Sequence, residues 1–281
     1  MKIQTPAKIN TQLYILKKRK DGYHELYMHM VPVTLFDTIT IAPHVGNGFQ
    51  LQMDGRDCGE QNENLIVKAA HAFAQSSGLE ISLNFHLFKQ IPVGAGLGGG
   101  SGNAAGVLQA LNHYYNCPLS IEELANIAMG LGSDIPFFLN PTPSQAMGRG
   151  EQLIPLVPYP SFFLVIVKPA FSISTAQAYQ NCQPASMDVA NQKMTTINEV
   201  VGSLHNQFES TLFLEFPLLA EIKEKLVEYG AVGALVSGSG SAVFGVFVNE
   251  FSQIQASRQL EHDKLGEVFC CQTIDSYQYC S

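Results

Sequence analysis

The 281-residue chain lacks tryptophan altogether and is poor in charge, with only 14% Asp, Glu, Lys and Arg. The missing tryptophan removes no catalytic group. No C-x-x-C pair occurs among the six cysteines at 58, 117, 182, 270, 271 and 280. A chain of this length needs no staples, and nothing at its start resembles a signal peptide, so reduced thiols in the cytoplasm are expected. Cys270 and Cys271 lie in a strand-like run and are expected to be buried. No apolar run reaches the roughly 18 residues of a membrane span, so no membrane partner is expected. A basic excess is also absent: the formal net charge is −8, and no basic stripe points to nucleic acid. The "KKRK" run at Lys17–Lys20 reads as a solvated turn. Internal repeats and low-complexity tracts are lacking. With 46% hydrophobic residues the chain reads as one large soluble domain or two modest ones, a monomer or homodimer.

One absence is local. From Ile81 to Ile121 there is no Asp or Glu, although the chain carries 24 acids. Within that stretch residues 91–106 read "IPVGAGLGGGSGNAAG", where six of the nine positions from Gly94 to Gly102 are glycine. Glycine loses much conformational freedom on folding. Such density implies left-handed turns or a ligand pressed against the main chain. A strand-like alternation, "ISLNFHLFK", precedes the loop. After it, Ser101 can start a helix in which Ala104, Val107, Leu108 and Leu111 share one stripe. Strand, glycine loop and helix N-terminus form an anion site, phosphate above all. A flexible loop that lacks acids by chance is the plainer alternative.

The rest of the chain mixes strands and helices. "KIQTPAKINTQLYIL" and "LYMHMVPVTLFDTITIAP" alternate like strands. A helix follows at "NLIVKAAHAFAQSSG", with Asn64 as N-cap and Gly78 as C-cap. Ser120 and Glu123 form a capping box for "SIEELANIAMGLG", and "SDIPFFL" reads as turn-like. The Pro- and Gly-rich "PTPSQAMGRGEQLIPLVPYP" reads as a seam. Beyond it "FFLVIVKP" is strand-like and "QNCQPASMD" is loop. Helices are expected around 195–216, at "PLLAEIKEKLVEYG" closed by Gly230, and at "EFSQIQASRQLEHD". "GALVSG", "AVFGVFV" and "EVFCCQTI" are strand-like. The second half reads as a small α+β sandwich with helices on one sheet face.

Three phosphate loops compete. Gly94-x-Gly96-x-x-Gly99 formally fits the dinucleotide fingerprint of a nicotinamide dehydrogenase, but no acid stands about 20 residues on to hold a ribose. The G-x-x-x-x-G-K-[ST] pattern is absent. The loop instead resembles that of the GHMP kinase superfamily. "TPAKINTQLYI", "GSDIPFFL" and "GALVSGSGSAVFGVF" resemble that family's other motifs, in order, from residue 5 to about 248. The resemblance implies an α+β, two-domain GHMP kinase architecture. Residues 1–157 would form an N-terminal ATP-binding domain like ribosomal protein S5 domain 2, and residues 158–281 a ferredoxin-like C-terminal domain.

"DGYHEL", "ENLIVKAA" and the triple glycine resemble the branch of the superfamily that phosphorylates a cytidine-diphosphate-linked sugar alcohol in non-mevalonate isoprenoid synthesis. Another small-molecule member of homoserine or mevalonate type, or a nucleotide-binding relative without turnover, is the alternative. The resemblance implies ATP as co-substrate, with Mg²⁺ whose protein ligands are not assigned. Pro92, Val93, Gly94, Ala95, Gly96, Leu97, Gly98, Gly99, Gly100, Ser101 and Gly102 would cradle its phosphates. Asn64 and Leu65 would line the adenine pocket. Lys89 would contact the nucleotide, or else be an exposed lysine at a strand end. Asp134 would be the base, unless it merely caps a helix, and Lys8 beside it would offset transition-state charge. Tyr23, His24 and Tyr179 would hold the cytosine, and Asn10 and Thr175 the sugar-alcohol and phosphate portion. Ser101-Gly102 stands where the family often has two serines.

Overall fold

The computed structural model describes residues 1–20, 22–46, 48–180, 182, 184 and 194–279. In chain order its strands and helices are β1 (Lys2–Lys18), β2 (His24–Pro43), β3 (Gln50–Gly55), α1 (Leu65–Ser77), β4 (Leu83–Lys89), α2 (Gly99–Tyr114), α3 (Ile121–Leu131), α4 (Ile135–Leu139), β5 (Ser144–Gly148) and β6 (Gln152–Pro155). There follow β7 (Phe163–Lys168), α5 (Thr175–Gln180), α6 (Ile197–Gly202), β8 (His205–Asn206), α7 (Glu209–Glu215), α8 (Pro217–Glu228), β9 (Gly233–Val236), β10 (Val243–Phe247), α9 (Glu250–Asp263) and β11 (Glu267–Gln272).

The expected helix ends hold. Asn64 accepts from the Ile66 amide, Gly78 closes α1 at φ 69°, and Ser120 with Glu123 makes a reciprocal capping box. Each satisfies backbone groups that the helix cannot pair internally.

β1 pairs with β2 along its whole length, from Lys2 opposite Thr40 to Lys18 opposite His24. The far edge of β2 takes β4 at one end and β5 at the other. The sheet runs β3-β4-β2-β1-β8, with β6 added beyond β5. The second sheet is antiparallel, in the order β11-β7-β10-β9. Counted along the chain, that is fourth, first, third, second, with helices after the first and third strands, which is the ferredoxin-like arrangement. α8 and α9 cover one face of this sheet.

Strand alternation sends neighbouring residues to opposite faces. In β7, Val165 and Val167 therefore join the core under the helices, while Leu164 and Ile166 turn the other way. There they meet Ala7 and Ile9 of β1 and Val31 and Val33 of β2 in a second core between the sheets. The same parity leaves Lys8 and Asn10 facing away from that core.

Several local expectations change. The seam at 141–160 holds the β5–β6 hairpin, because its apolar positions find β2 as a partner. "SDIPFFL" contains the short helix α4, not a plain turn. α2 starts at Gly99, so Ser101 lies inside its first turn. The span 195–216 is broken by β8, which pairs with β1. β3 and α5 were not anticipated. Cys271 is buried but Cys270 is exposed, since adjacent strand residues face opposite ways. Cys58, Cys117, Cys182, Cys270 and Cys271 are all free thiols. Of the polar loop at 180–188, residues 181, 183 and 185–188 lie outside the described residues, as do Asp21 and Cys280. Among the described residues no helix is long and apolar enough to cross a membrane.

Candidate active site

A cleft of about 810 Å³ runs between the glycine loop, α4, the β1–β2 hairpin and α5. It is lined by every residue of the expected phosphate loop from Pro92 to Ser101, and by Lys8, Asn10, Tyr23, His24, Asn64, Leu65, Lys89, Asp134, Thr175 and Tyr179. Gly102 lies behind this surface, in the first turn of α2.

Gly94, Gly96 and Gly98 have φ of 64°, 73° and 69°, the left-handed region that suits glycine. Close packing matters as well. A Cβ on Gly98 would stand 2.7 Å from Phe138 Cζ, and one on Gly102 would stand 2.9 Å from the Pro6 carbonyl oxygen. A Cβ on Gly96 would collide with the Ser237 carbonyl. The Ser237 hydroxyl and the Ala242 amide also donate to this loop, at Gly96 and Ala95, with distances of 3.0 and 3.1 Å. Gly100 is the exception: nothing but Leu65 Cδ1, at 3.5 Å, comes near. Much of the glycine density thus serves turns and packing, and Gly100 alone keeps open space.

The N-cap of α2 is Gly98, which offers no side chain. At α1, α3, α6 and α9 the caps are Asn64, Ser120, Thr196 and Asn249, each accepting from the helix backbone. The first amides of α2 are left open toward the cleft, at the positive end of the helix dipole.

The Lys8 ammonium donates to Asn10 Oδ1 at 2.6 Å and to the Gly96 carbonyl at 2.8 Å. It lies 3.8 Å from Asp134 Oδ2. Burial pushes the Lys8 pKa down, and the Asp134 carboxylate pulls it back up. Asp134 occupies the N-cap position of α4 but is in αR conformation and makes no capping hydrogen bond. Its side chain is 36% exposed at the cleft. Asn10 is 1% exposed, and its Nδ2 has no partner among the described residues.

On the wall of the cleft His24 and Tyr179 stack on each other, with centroids 4.9 Å apart. Phe208 and Tyr179 meet edge to face. A base cannot fit between rings so close, so it would have to stack on an outer face. Tyr23 is 49% exposed. Thr175 Oγ1 lies 3.2 Å from Ser239 Oγ.

Lys89 lines the cleft but is not the exposed strand-end lysine of the plainer expectation. It is buried, not exposed, and its ammonium is held by Asp37 and by Asn103 Oδ1 at 3.0 Å. Asp37 Oδ1 also accepts from the Gln90 and Ile91 amides at 2.7 and 2.8 Å. This network anchors the base of the glycine loop. Sequence reasoning missed Asp37, although one acid among the alternating apolar residues of "LFDTI" was its signal. It also missed Arg149 and the wall formed by Gly238, Ser239 and Phe208. Among the described residues no group of three His, Cys, Asp or Glu forms a metal site.

An uncapped glycine helix and a lysine–aspartate pair in a two-sheet α+β frame describe a class of small-molecule kinases. The family descriptions "GHMP kinases N terminal domain" and "GHMP kinases C terminal" match residues 64–140 and 188–265. The chain belongs to the GHMP kinase family and is an ATP-dependent kinase. It is 38% identical to the 4-diphosphocytidyl-2-C-methyl-D-erythritol kinase of Syntrophus aciditrophicus over 98% of this chain and 100% of that one. With the protein of the same name from Syntrophotalea carbinolica it shares 42% identity over 86% of this chain and 88% of that one. A crystal structure of 4-(cytidine 5'-diphospho)-2C-methyl-D-erythritol kinase superposes with a TM-score of 0.82 at 32% identity, covering 97% of this chain and 99% of that one.

Proposed function

We propose that the chain transfers the γ-phosphoryl group of ATP to the 2-hydroxyl of 4-diphosphocytidyl-2-C-methyl-D-erythritol, in non-mevalonate isoprenoid synthesis in the cytoplasm. One observation carries the chemistry: the buried Lys8 ammonium, 3.8 Å from an uncapped Asp134 carboxylate, shares a cleft with the open N-terminus of α2. The names of the relatives support the choice of acceptor.

Phosphoryl transfer asks a protein chiefly to position groups and offset charge. The amides of the loop from Val93 to Ser101 and the dipole of α2 hold the triphosphate, with Pro92 and Gly102 shaping its two ends, and Asn64 and Leu65 flank the adenine. Mg²⁺ bound with the nucleotide would supply further positive charge to the phosphates. Asp134 accepts the hydroxyl proton as the acceptor oxygen bonds to the γ-phosphorus and the bond to the β-phosphate oxygen breaks, releasing ADP. Lys8, fixed by Asn10 and Gly96, faces the oxygen on which charge builds up. The unpartnered Asn10 Nδ2 and the Thr175 hydroxyl contact the sugar-alcohol portion, and Tyr23, His24 and Tyr179 hold the cytosine. Lys89 acts through Asp37 and Asn103, fixing the loop from beneath.

The test is a product assay with ATP and each of three acceptors: the cytidine-diphosphate-linked alcohol, homoserine and mevalonate. The first is expected to be phosphorylated, with CDP as inhibitor. Turnover of homoserine or mevalonate alone would overturn the acceptor assignment.

A further inference from the structure

We infer that Arg149 is the cation that binds the diphosphate of the acceptor substrate; this rests on the acceptor assigned above. Arg149 sits at the tip of the β5–β6 hairpin in "MGRGE". Gly148 and Gly150 on either side take φ of 73° and 121°, which sharpens the turn. The Arg149 amide is capped by Glu151 Oε2 at 2.6 Å, so this carboxylate serves the turn. The tip touches the catalytic segment: a Cβ on Gly150 would lie 3.4 Å from the Ser133 carbonyl, one residue before Asp134. The guanidinium carbon lies over the Tyr23 ring, 3.6 Å from its centroid. The residue thus stands between Tyr23 and the segment that carries Asp134.

The substrate has the same order: base, diphosphate, then the alcohol to be phosphorylated. With a net charge of −8, the chain must draw a diphosphate by local groups. Three side chains lining the cleft are fixed cations: Lys8, Lys89 and Arg149. The Lys8 ammonium is bound by Asn10 and Gly96, and that of Lys89 by Asp37 and Asn103. Arg149 makes no hydrogen bond through its guanidinium among the described residues, and its Nε is buried without a partner. An unsatisfied buried donor is costly. A planar fork of donors matches phosphate oxygens, and stacking on Tyr23 pre-orders it at little further entropic cost. Homoserine and mevalonate carry no diphosphate, so the residue also selects between acceptors.

The test compares CDP with cytidine by calorimetry, and steady-state kinetics with the CDP-linked acceptor, in wild type, Arg149→Met and Arg149→Lys. Loss of charge-assisted bonds should weaken CDP binding and raise KM for the acceptor roughly 10- to 100-fold in Arg149→Met. Cytidine affinity and KM for ATP should move by less than about twofold, because neither depends on that group. Arg149→Lys keeps the charge but loses the fork, so its CDP affinity should fall between the two. An equal loss for CDP and cytidine in Arg149→Met would reduce Arg149 to a support for Tyr23 and overturn the inference. Should Arg149→Met not fold, a CDP-to-cytidine affinity ratio unchanged in Arg149→Lys would overturn it equally. A wild type that binds neither CDP nor the acceptor would instead sink the acceptor assignment itself.

Discussion

Lys8 and Asp134 face each other across 3.8 Å, one buried in a strand and the other half-open to the cleft from the start of α4. Asp134 does not cap the helix it begins, so its carboxylate is free for proton transfer. Asp134→Asn is expected to lower kcat at least about a hundredfold, the scale of losing a general base. Its affinity for ATP should hardly change. Near wild-type turnover would reduce Asp134 to a structural residue.

The glycine loop separates two roles for glycine. Gly98→Val places a Cβ against Phe138 and Lys8 at a positive φ, so it should lower stability and weaken ATP binding together. Gly100→Ala meets open space in the folded chain and sits in a helix. Its stability should stay within about 0.5 kcal/mol or rise, given the helix propensity of alanine. If phosphate oxygens approach this amide, KM for ATP should still rise severalfold. Unchanged KM in Gly100→Ala would move the phosphates away from α2.

Asp37 receives four donors: the ammonium of Lys89, the Asn103 amide, and the Gln90 and Ile91 backbone N–H groups. Asp37→Asn leaves a buried ammonium without its carboxylate. The expected loss of stability is about 3–5 kcal/mol, read from urea unfolding. Adding Lys89→Met removes the stranded charge and should recover part of that loss. A loss below about 1 kcal/mol in the single variant would mean that the pair does not anchor the loop.

Motifs carried by local chemistry were legible from the sequence. The glycine loop, the caps Asn64, Gly78 and Ser120, and the helix following the loop all depend on residues a few places apart. "PAKIN" and "GSDIPFF" singled out Lys8 and Asp134, and the fold brings them together across 126 residues of sequence (134 − 8). What stayed hidden depends on long-range pairing. β5 and β6 looked like a proline-rich seam because their partner, β2, lies far away in the chain. β8 is two residues long and exists only against β1. Lys89 could not be told from a surface lysine until Asp37 was placed beside it. Packing against Phe138, Pro6 and Ser237 is a second demand on these glycines that depends on distant residues and so was not legible in the loop itself.

Behind the cleft, His29 is buried in β2, with Nε2 3.0 Å from the Tyr27 hydroxyl, which itself donates to Gln145 Oε1 at 3.1 Å. Its Nδ1 has no partner. Burial pushes its pKa down from the usual 6.5 to about 4. Between those two pH values the unfolded chain binds a proton that the folded chain refuses, so stability falls as pH drops from 6.5 to 4. At the limit this one group removes about 3 kcal/mol, and above pH 6.5 it costs nothing. His29→Phe keeps a ring in the site and cannot take up the proton. Denaturant midpoints of wild type and His29→Phe, measured in steps from pH 7 to 4, should therefore converge or cross as acid weakens the wild type more steeply. Parallel curves would place the acid sensitivity elsewhere and show that the imidazole is reached by water or by a proton acceptor.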